Sequence, residues 1–386
     1  MPYFSFIFKN KNLITTLKEF GDFDENIKYY SKNTKLWSYL KKLSKNSDSI
    51  HLTQEKRKNA SRKFKSILFC LPPNIGLGDA IEYSLAIKSI QNENPNKLIG
   101  VAHVGKYKDI FINYYNIEVV YDYLTEKDLL SFDSVFHFTF EIKELIFQKY
   151  DRKNIEKIIT DYFKVPLYRK KLNVENNQLK TNIISIFPIS QSPLRSLPIY
   201  ILNSIINNFV NDYEIEIYLD SKSDISNYIK NNINFKNKLI FYDPINLNDL
   251  INFVKKIQFG IFPDSGPLHL AKIFNKKGIL FTSSVPKEIL INEFNSISAI
   301  ESFYRSEFCN GPCGLVNSFE YKGRSGCYDS LSIFKNQIMA LKNIKNLQRG
   351  DLKKNQLNLY VNSVNCYKYY NADKINAHIK KYLEKK

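Results

Sequence analysis

Tryptophan and methionine are nearly missing from this chain, which has one Trp and two Met in 386 residues, and glycine and proline are sparse at 13 each. So little Gly and Pro excludes a collagenous or low-complexity chain, and 44% apolar residues exclude a disordered one. Cysteine is scarce too: five residues, an odd number, read as thiols in a reducing compartment rather than as a disulfide framework. No stretch reaches the roughly 18 consecutive apolar residues that a membrane-crossing helix needs. Residues 1–18 interleave Phe and Ile with Lys9, Lys11 and Lys18 and lack the unbroken apolar centre of a signal peptide. The expectation is a soluble cytoplasmic protein, at most peripheral on the inner face of a membrane.

Acidic residues are also in short supply. Lys and Arg number 56 against 38 Asp and Glu, a formal net charge of +18. Such a charge attracts phosphate-bearing partners, whether nucleic acid, anionic lipid or sugar nucleotides, although the richness in Lys, Asn and Ile also fits a compositional bias of the genome. Only eight of the cations are Arg. Bidentate reading of bases and phosphates favours Arg, and no aromatic RNA-binding pattern is present, so nucleic acid is not an expected partner.

The length suits two to three domains. Residues 1–65 read as a basic N-terminal extension with short helical patterns at Leu13–Phe20 and Leu36–Leu43. At Ser66 the pattern changes to Ser66-Ile-Leu-Phe-Cys-Leu71, a continuous apolar run of the kind buried on both faces of a parallel sheet. A helix follows over Ala80–Ile90, then strands at Leu98–Val104, Glu118–Tyr121 and Ser134–Phe140, with a helix at Asp109–Tyr115. This alternation predicts an α/β domain over 66–175, and a Lys/Asn-rich linker separates it from a second over 181–345. Strands are expected there at Ile183–Phe187, Glu214–Leu219, Lys238–Tyr242, Phe259–Phe262 and Gly278–Phe281, with helices at Leu197–Val210, Leu247–Ile257 and Leu268–Phe274. This second domain includes a Cys-rich loop at 305–330 and a helix near Leu331–Leu347 at its end; an extended piece at Gln356–Val364 and a helical tail follow, residues 346–386 forming a C-terminal extension.

Three segments sit where a strand gives way to a helix, the place where open α/β sheets bind ligands. Pro72-Pro-Asn-Ile-Gly76-Leu-Gly78-Asp79 offers glycines that let a ligand approach the backbone, and a carboxylate near the helix start that also suits a cap. It lacks the third glycine of a dinucleotide fingerprint, so hydride transfer is not expected. In Phe262-Pro-Asp264-Ser265-Gly266-Pro267-Leu268-His269-Leu-Ala271 the proline suits a first helical turn, and Ser265 and Gly266 leave backbone amides free for an anion. Ser190 and Arg195 lie on the loop Phe187-Pro-Ile-Ser190-Gln-Ser-Pro-Leu-Arg195-Ser-Leu-Pro, where an Arg suits a departing phosphate. Taken singly, each of these residues also has a plain structural reading as a cap, a core histidine or a surface charge.

Together the three segments resemble the ADP-heptose heptosyltransferases of family 9, inverting glycosyltransferases of lipopolysaccharide synthesis that include relatives acting on proteins. Asp264-Ser-Gly-Pro-Leu-His269-Leu-Ala271 is similar to the family's Asp-(Ser/Thr)-Gly-x-x-His-x-Ala signature, and Phe281-Thr-Ser-Ser followed by Pro286 stands at the family's distance from it. Gly78-Asp79 resembles its N-terminal Gly-Asp element, and Arg195 before Leu197-Pro198 its basic residue before Trp-Pro or Leu-Pro. The likeness spans about residues 66–345.

The resemblance implies the GT-B fold, two facing Rossmann-like domains with a deep interdomain cleft. It implies a nucleotide-diphosphate sugar bound on the second domain by Ser190, Arg195, Asp264, Ser265, Gly266, Leu268 and His269, and a saccharide, glycolipid or protein acceptor on the first, beside Gly76 and Gly78. Asp79 would be the general base, and no cofactor would enter catalysis. Cys309, Cys313, Cys327 and Cys366 are also candidate thiolate ligands of a structural zinc or iron ion, with reduced free thiols as the alternative. A competing expectation is a non-catalytic module of the same shape docking on anionic membrane or polysaccharide.

Overall fold

The structure, a computed structural model, describes residues 4–45, 48–55, 61–72, 75–138, 154–168, 182–220, 223–291, 294–334 and 356–384. The chain divides into two units, Met1–Arg169 and Lys170–Lys386.

The first unit carries strands β1 (Phe4–Phe8), β2 (Lys28–Ser31), β3 (Ile50–Gln54), β4 (Ser66–Cys70), β5 (Leu98–Ala102), β6 (Val119–Tyr121), β7 (Leu124–Thr125) and β8 (Ser134–His137). They form an antiparallel sheet ordered β3-β1-β2-β7 and a parallel sheet ordered β6-β5-β4-β8. The antiparallel sheet overturns the reading of residues 1–65 as an extension with short helices only. Phe4, Phe6 and Phe8 recur at the two-residue period of a strand and are fully buried. They share a core with Leu36 and Leu40 of the helix Thr34–Leu43, whose Asn33 cap accepts from the amides of Lys35 and Leu36. Each such side chain contributes about 1.5–3 kcal/mol on burial, so this segment builds a core of its own.

In the parallel sheet β4 is buried from Ile67 to Cys70, as its unbroken apolar run requires. The helix Leu77–Glu93 follows it. Chain order runs from β4 outward through β5 and β6, then returns to β8 on the other side of β4. The sheet's direction of winding therefore reverses between β4 and β8, and such a reversal opens a crevice at the carboxyl ends of the two strands.

The second unit holds β9 (Ile183–Ile186), β10 (Glu214–Tyr218), β11 (Leu239–Tyr242), β12 (Phe259–Pro263), β13 (Lys277–Phe281) and β14 (Ile297–Ile300), all parallel in the order β11-β10-β9-β12-β13-β14. Here the winding reverses between β9 and β12. Helices such as Ile199–Phe209, with Ile201, Leu202, Ile205, Ile206 and Phe209 buried along one stripe, cover the sheet. At Gly260 and Gly278 a Cβ would run into the Phe262 ring and the Gly260 carbonyl respectively, so both must be glycine for that ring to lie flat on the sheet. A short hairpin, β15 (Phe319–Tyr321) with β16 (Arg324–Gly326), follows.

Several local expectations change. Asp109–Tyr115 is one wide turn of π-helix over Ile110–Tyr114, and β8 stops at His137. Residues 356–361 are helical (Gln356–Val361), because Tyr360 buries its ring there and donates its hydroxyl to the Leu197 carbonyl at 2.8 Å; tertiary burial outweighs the strand-like look of the segment. Leu331 is followed by a left-handed Ser332, and the rest of the helix expected near Leu331–Leu347 lies largely outside the described residues, as does the linker. The C-terminal stretch joins the core of the second unit through Tyr360, Val364, Tyr367, Ile375 and Ile379. Among the described residues no helix is long and apolar enough to cross a membrane.

Candidate functional site

In the first unit Gly76 is the N-cap of the helix Leu77–Glu93 and donates its amide to Asp79 Oδ2 at 2.8 Å. That bond and the favourable field of the helix start hold the carboxylate in place. Its second oxygen has no protein donor among the described residues. Asp79 thus stands at the carboxyl end of β4, next to the strand reversal. Its negative charge is felt by two tyrosines. Burial pushes the Tyr107 hydroxyl up to about 12, and Asp79 adds to the shift. Tyr83 is raised further by burial, then by Asp79 and Glu82. Both phenols therefore stay protonated at neutral pH and remain donors.

In the second unit the loops after β9 and β12 meet at the reversal point. Ser190 Oγ donates to the Asp264 carbonyl at 2.7 Å. Arg195 Nη1 donates to the same carbonyl at 3.1 Å and pairs with Asp264 Oδ2 at 2.9 Å, with both side chains about nine-tenths buried. Arg195 Nε donates to the Val316 carbonyl at 3.0 Å, and the Arg195 carbonyl accepts from the Tyr367 hydroxyl at 2.6 Å. The cation is thus neutralised by Asp264 within the protein. A pair this deeply buried persists only with such additional hydrogen bonds.

Beside this pair begins the helix Gly266–Ile273, with Ser265 as N-cap and Pro267 in its first turn. The Ser265 hydroxyl makes no capping bond; it is enclosed and has no hydrogen-bond partner among the described residues. First-turn amides have no acceptor within a helix, so an unpaired buried hydroxyl joins unpaired N–H groups at one point. Chemically, such an arrangement is able to take an anion: the helix start supplies amides and a positive field, and Ser265 a hydroxyl donor. Leu268 and His269 are buried in the helix, with His269 Nδ1 3.3 Å from Lys272 Nζ.

The four late cysteines, 309, 313, 327 and 366, line one cavity with Tyr304, Tyr328, Asp329 and Asn365. The cavity has about 20 Å³ of free space, room for a single water-sized atom or ion. The Cys309 thiol is held protonated first by its hydrogen bond with Cys313, then by burial and by the negative charge that Cys313, Cys366 and Cys327 would carry. Burial, then Cys313 and Cys327, push Cys366 up to about 12. Among the described residues no three Cys, His, Asp or Glu side chains stand at the spacing that holds a metal ion. The cavity is linked to Arg195: Gly314 donates its amide to the Ser284 carbonyl at 2.7 Å, Ser284 Oγ donates to the Leu315 carbonyl, and the next carbonyl, of Val316, receives Arg195.

No family model matches this sequence, and no curated protein does. Solved structures to which the chain is similar include a glycosyl transferase of family 9 from Veillonella parvula DSM 2008, at 11% identity over 63% of this chain and 88% of that one, with a TM-score of 0.48. The E. coli heptosyltransferase WaaC with ADP shares 10% identity over 61% of this chain and 92% of that one, TM-score 0.46. The iron-containing dodecameric glycosyltransferase TibC from enterotoxigenic E. coli H10407 shares 14% over 86% of this chain and 78% of that one, TM-score 0.48.

Of the residues singled out from sequence, Ser190, Arg195, Asp264, Ser265 and Gly266 are brought to one strand reversal, and Gly76, Gly78 and Asp79 to the other. Sequence reasoning missed the Asp264 partner of Arg195, the Val316 carbonyl and the two phenols near Asp79. Nothing in a local pattern marks an Arg195–Val316 bond that spans 121 positions.

Proposed function

We propose that this chain is an inverting glycosyltransferase that takes its sugar from a nucleoside diphosphate, ADP-heptose being the donor that the sequence resemblance suggests. One observation carries the reading: the enclosed, unpartnered Ser265 hydroxyl at a helix start, on the strand reversal between β9 and β12. The diphosphate is held by the first-turn amides and Ser265, with Arg195 Nη2 as the guanidinium nitrogen left for it. Asp79 takes the proton of the acceptor hydroxyl as that oxygen attacks the anomeric carbon from the face opposite the diphosphate. The carbon–oxygen bond to the diphosphate breaks with its electron pair, and a single displacement inverts the centre. Amides aimed at the departing oxygens stabilise their growing charge by a few kcal/mol in a site shielded from water. The acceptor is a saccharide, a glycolipid or a protein.

The four cysteines suit a structural zinc or iron ion in donor chemistry and line a cavity with room for one, although among the described residues they do not stand at the spacing that holds a metal. Cys309, Cys313, Cys327 and Cys366 would hold it once their side chains come to ligand spacing. Bound there, it supplies a cross-link between the loop ending at Val316 and the C-terminal helices.

The experiment is to compare the wild type with Asp79→Asn. Thermal-shift screening against nucleotide sugars identifies the donor, a ligand at 100 times its Kd adding about 2.7 kcal/mol of stability. Asp79→Asn is expected to keep that shift and lose about 10²- to 10⁴-fold in turnover. Turnover within tenfold of wild type removes the general-base role; no shift with any nucleotide sugar, alongside salt-sensitive binding to anionic vesicles, favours the non-catalytic module.

A further inference from the structure

Half of the excess positive charge lies in the first sixth of the chain: residues 1–65 hold 15 Lys and Arg against 6 Asp and Glu. Within that stretch the helix Thr34–Leu43 carries Lys35, Lys41 and Lys42 and no acidic residue. Phe20, Thr34, Lys35, Ser38, Tyr39 and Lys42 line an open groove of about 440 Å³ on it. Lys35 and Lys42 stand two turns apart on one face, about 10 Å along the axis, with Tyr39 between them. Among the described residues neither ammonium has a carboxylate partner. The Phe20 and Tyr39 rings lie 5.8 Å apart at 41° and are both half-buried, so each shows part of its surface to the groove.

From this groove we infer a binding site for an anionic saccharide, a short chain of sugar rings bearing carboxylate, phosphate or sulfate groups. The volume is that of a small-ligand pocket. Two lysines about one disaccharide repeat apart along the helix match charges on every second sugar; the rings offer apolar surface to the C–H faces of those sugars, and the Thr34 and Ser38 hydroxyls meet their hydroxyl groups. A bilayer is the less favoured partner. Among the described residues the only large apolar side chain exposed on residues 4–55 is Ile27, which does not line the groove, so nothing is placed to enter the acyl layer. The groove shares no residue with the anion seat of the second unit, and the inference stands apart from the proposed reaction.

The test is calorimetric titration of the full chain with a uronate-bearing tetrasaccharide, its carboxyl-reduced neutral counterpart, inorganic tripolyphosphate and anionic vesicles. The acidic tetrasaccharide is expected to bind, weakening by about tenfold on carboxyl reduction, by about tenfold in Lys35→Gln/Lys42→Gln with unchanged thermal stability, and by about tenfold in Tyr39→Ala, which loses packing and is therefore titrated well below its own melting temperature. No binding of the acidic tetrasaccharide overturns the proposal. So does tripolyphosphate binding that is equally tight and indifferent to Tyr39→Ala, which leaves a charge-only patch, or a preference for vesicles over the saccharide. Nucleotide binding, followed in the same variants, is expected to be unchanged, which separates failure of this site from failure of the proposed donor site.

Discussion

Arg195 and Asp264, 69 positions apart in sequence, form a buried ion pair at 2.9 Å on the strand reversal of the second sheet. The pair ties the loop after β9 to the loop after β12, and it leaves the helix start at Ser265, rather than the arginine's charge, as the main source of positive potential for an anion. Arg195→Met leaves the Asp264 carboxylate buried without its counter-charge and is expected to cost about 3–5 kcal/mol. Arg195→Met combined with Asp264→Leu should cost clearly less than the two single changes added together. Urea denaturation of the four proteins reads the coupling; a value within a few tenths of a kcal/mol of zero means that the pair does not hold the loops.

The thiol cavity makes a prediction in protons. Thiols held protonated by burial and by one another must release protons to bind a metal ion, so adding zinc to the metal-free protein should acidify a weakly buffered solution and raise the melting temperature. Cys309→Ser should reduce both effects. Zinc that neither releases protons nor stabilises the chain would leave the cysteines as ordinary reduced thiols.

His103 gives the molecule an acid-sensitive point. Burial, then the nearby Lys32 charge, lowers it to about 3, while a hydrogen bond with the Asp122 backbone opposes the shift; its Nε2 is fully enclosed. The unfolded chain, with the histidine near its ordinary 6.5, therefore binds a proton that the folded one refuses between about pH 6.5 and 3. This contribution is full above that window and is lost as pH falls through it, at up to about 1.4 kcal/mol per pH unit. His103→Asn removes the titrating ring, and Asn tolerates the left-handed backbone at φ 65°. The difference in unfolding free energy between wild type and variant, followed from pH 7 to 4, should narrow steadily; a constant difference would show that His103 titrates normally.

Much of the α/β alternation is legible in the sequence because it is local. Ser66–Cys70 is apolar throughout since both faces of β4 are covered, and Ile199–Phe209 shows its buried stripe in its own spacing. The turns at Asp79 and Ser265 announce themselves through Gly and Pro, residues chosen for backbone reasons at a strand end. The antiparallel sheet is harder to see: Phe4-Ser-Phe-Ile-Phe8 alternates over only five residues, and the edge strand that completes its sheet, Leu124–Thr125, comes almost a hundred positions after its partner Tyr29–Tyr30.

By itself, then, the order of residues determined most strands of the two parallel sheets, most helices and the turn chemistry, because these depend on periods of two and 3.6 residues and on the conformational limits of Gly and Pro. Only the tertiary structure decided that Asp264 neutralises Arg195, that Cys366 closes a cavity begun by Cys309, and that the first 55 residues wrap a core of their own. Ion pairs and thiol clusters form through space without regard to sequence distance, so they are set by where the fold of the second unit carries their side chains.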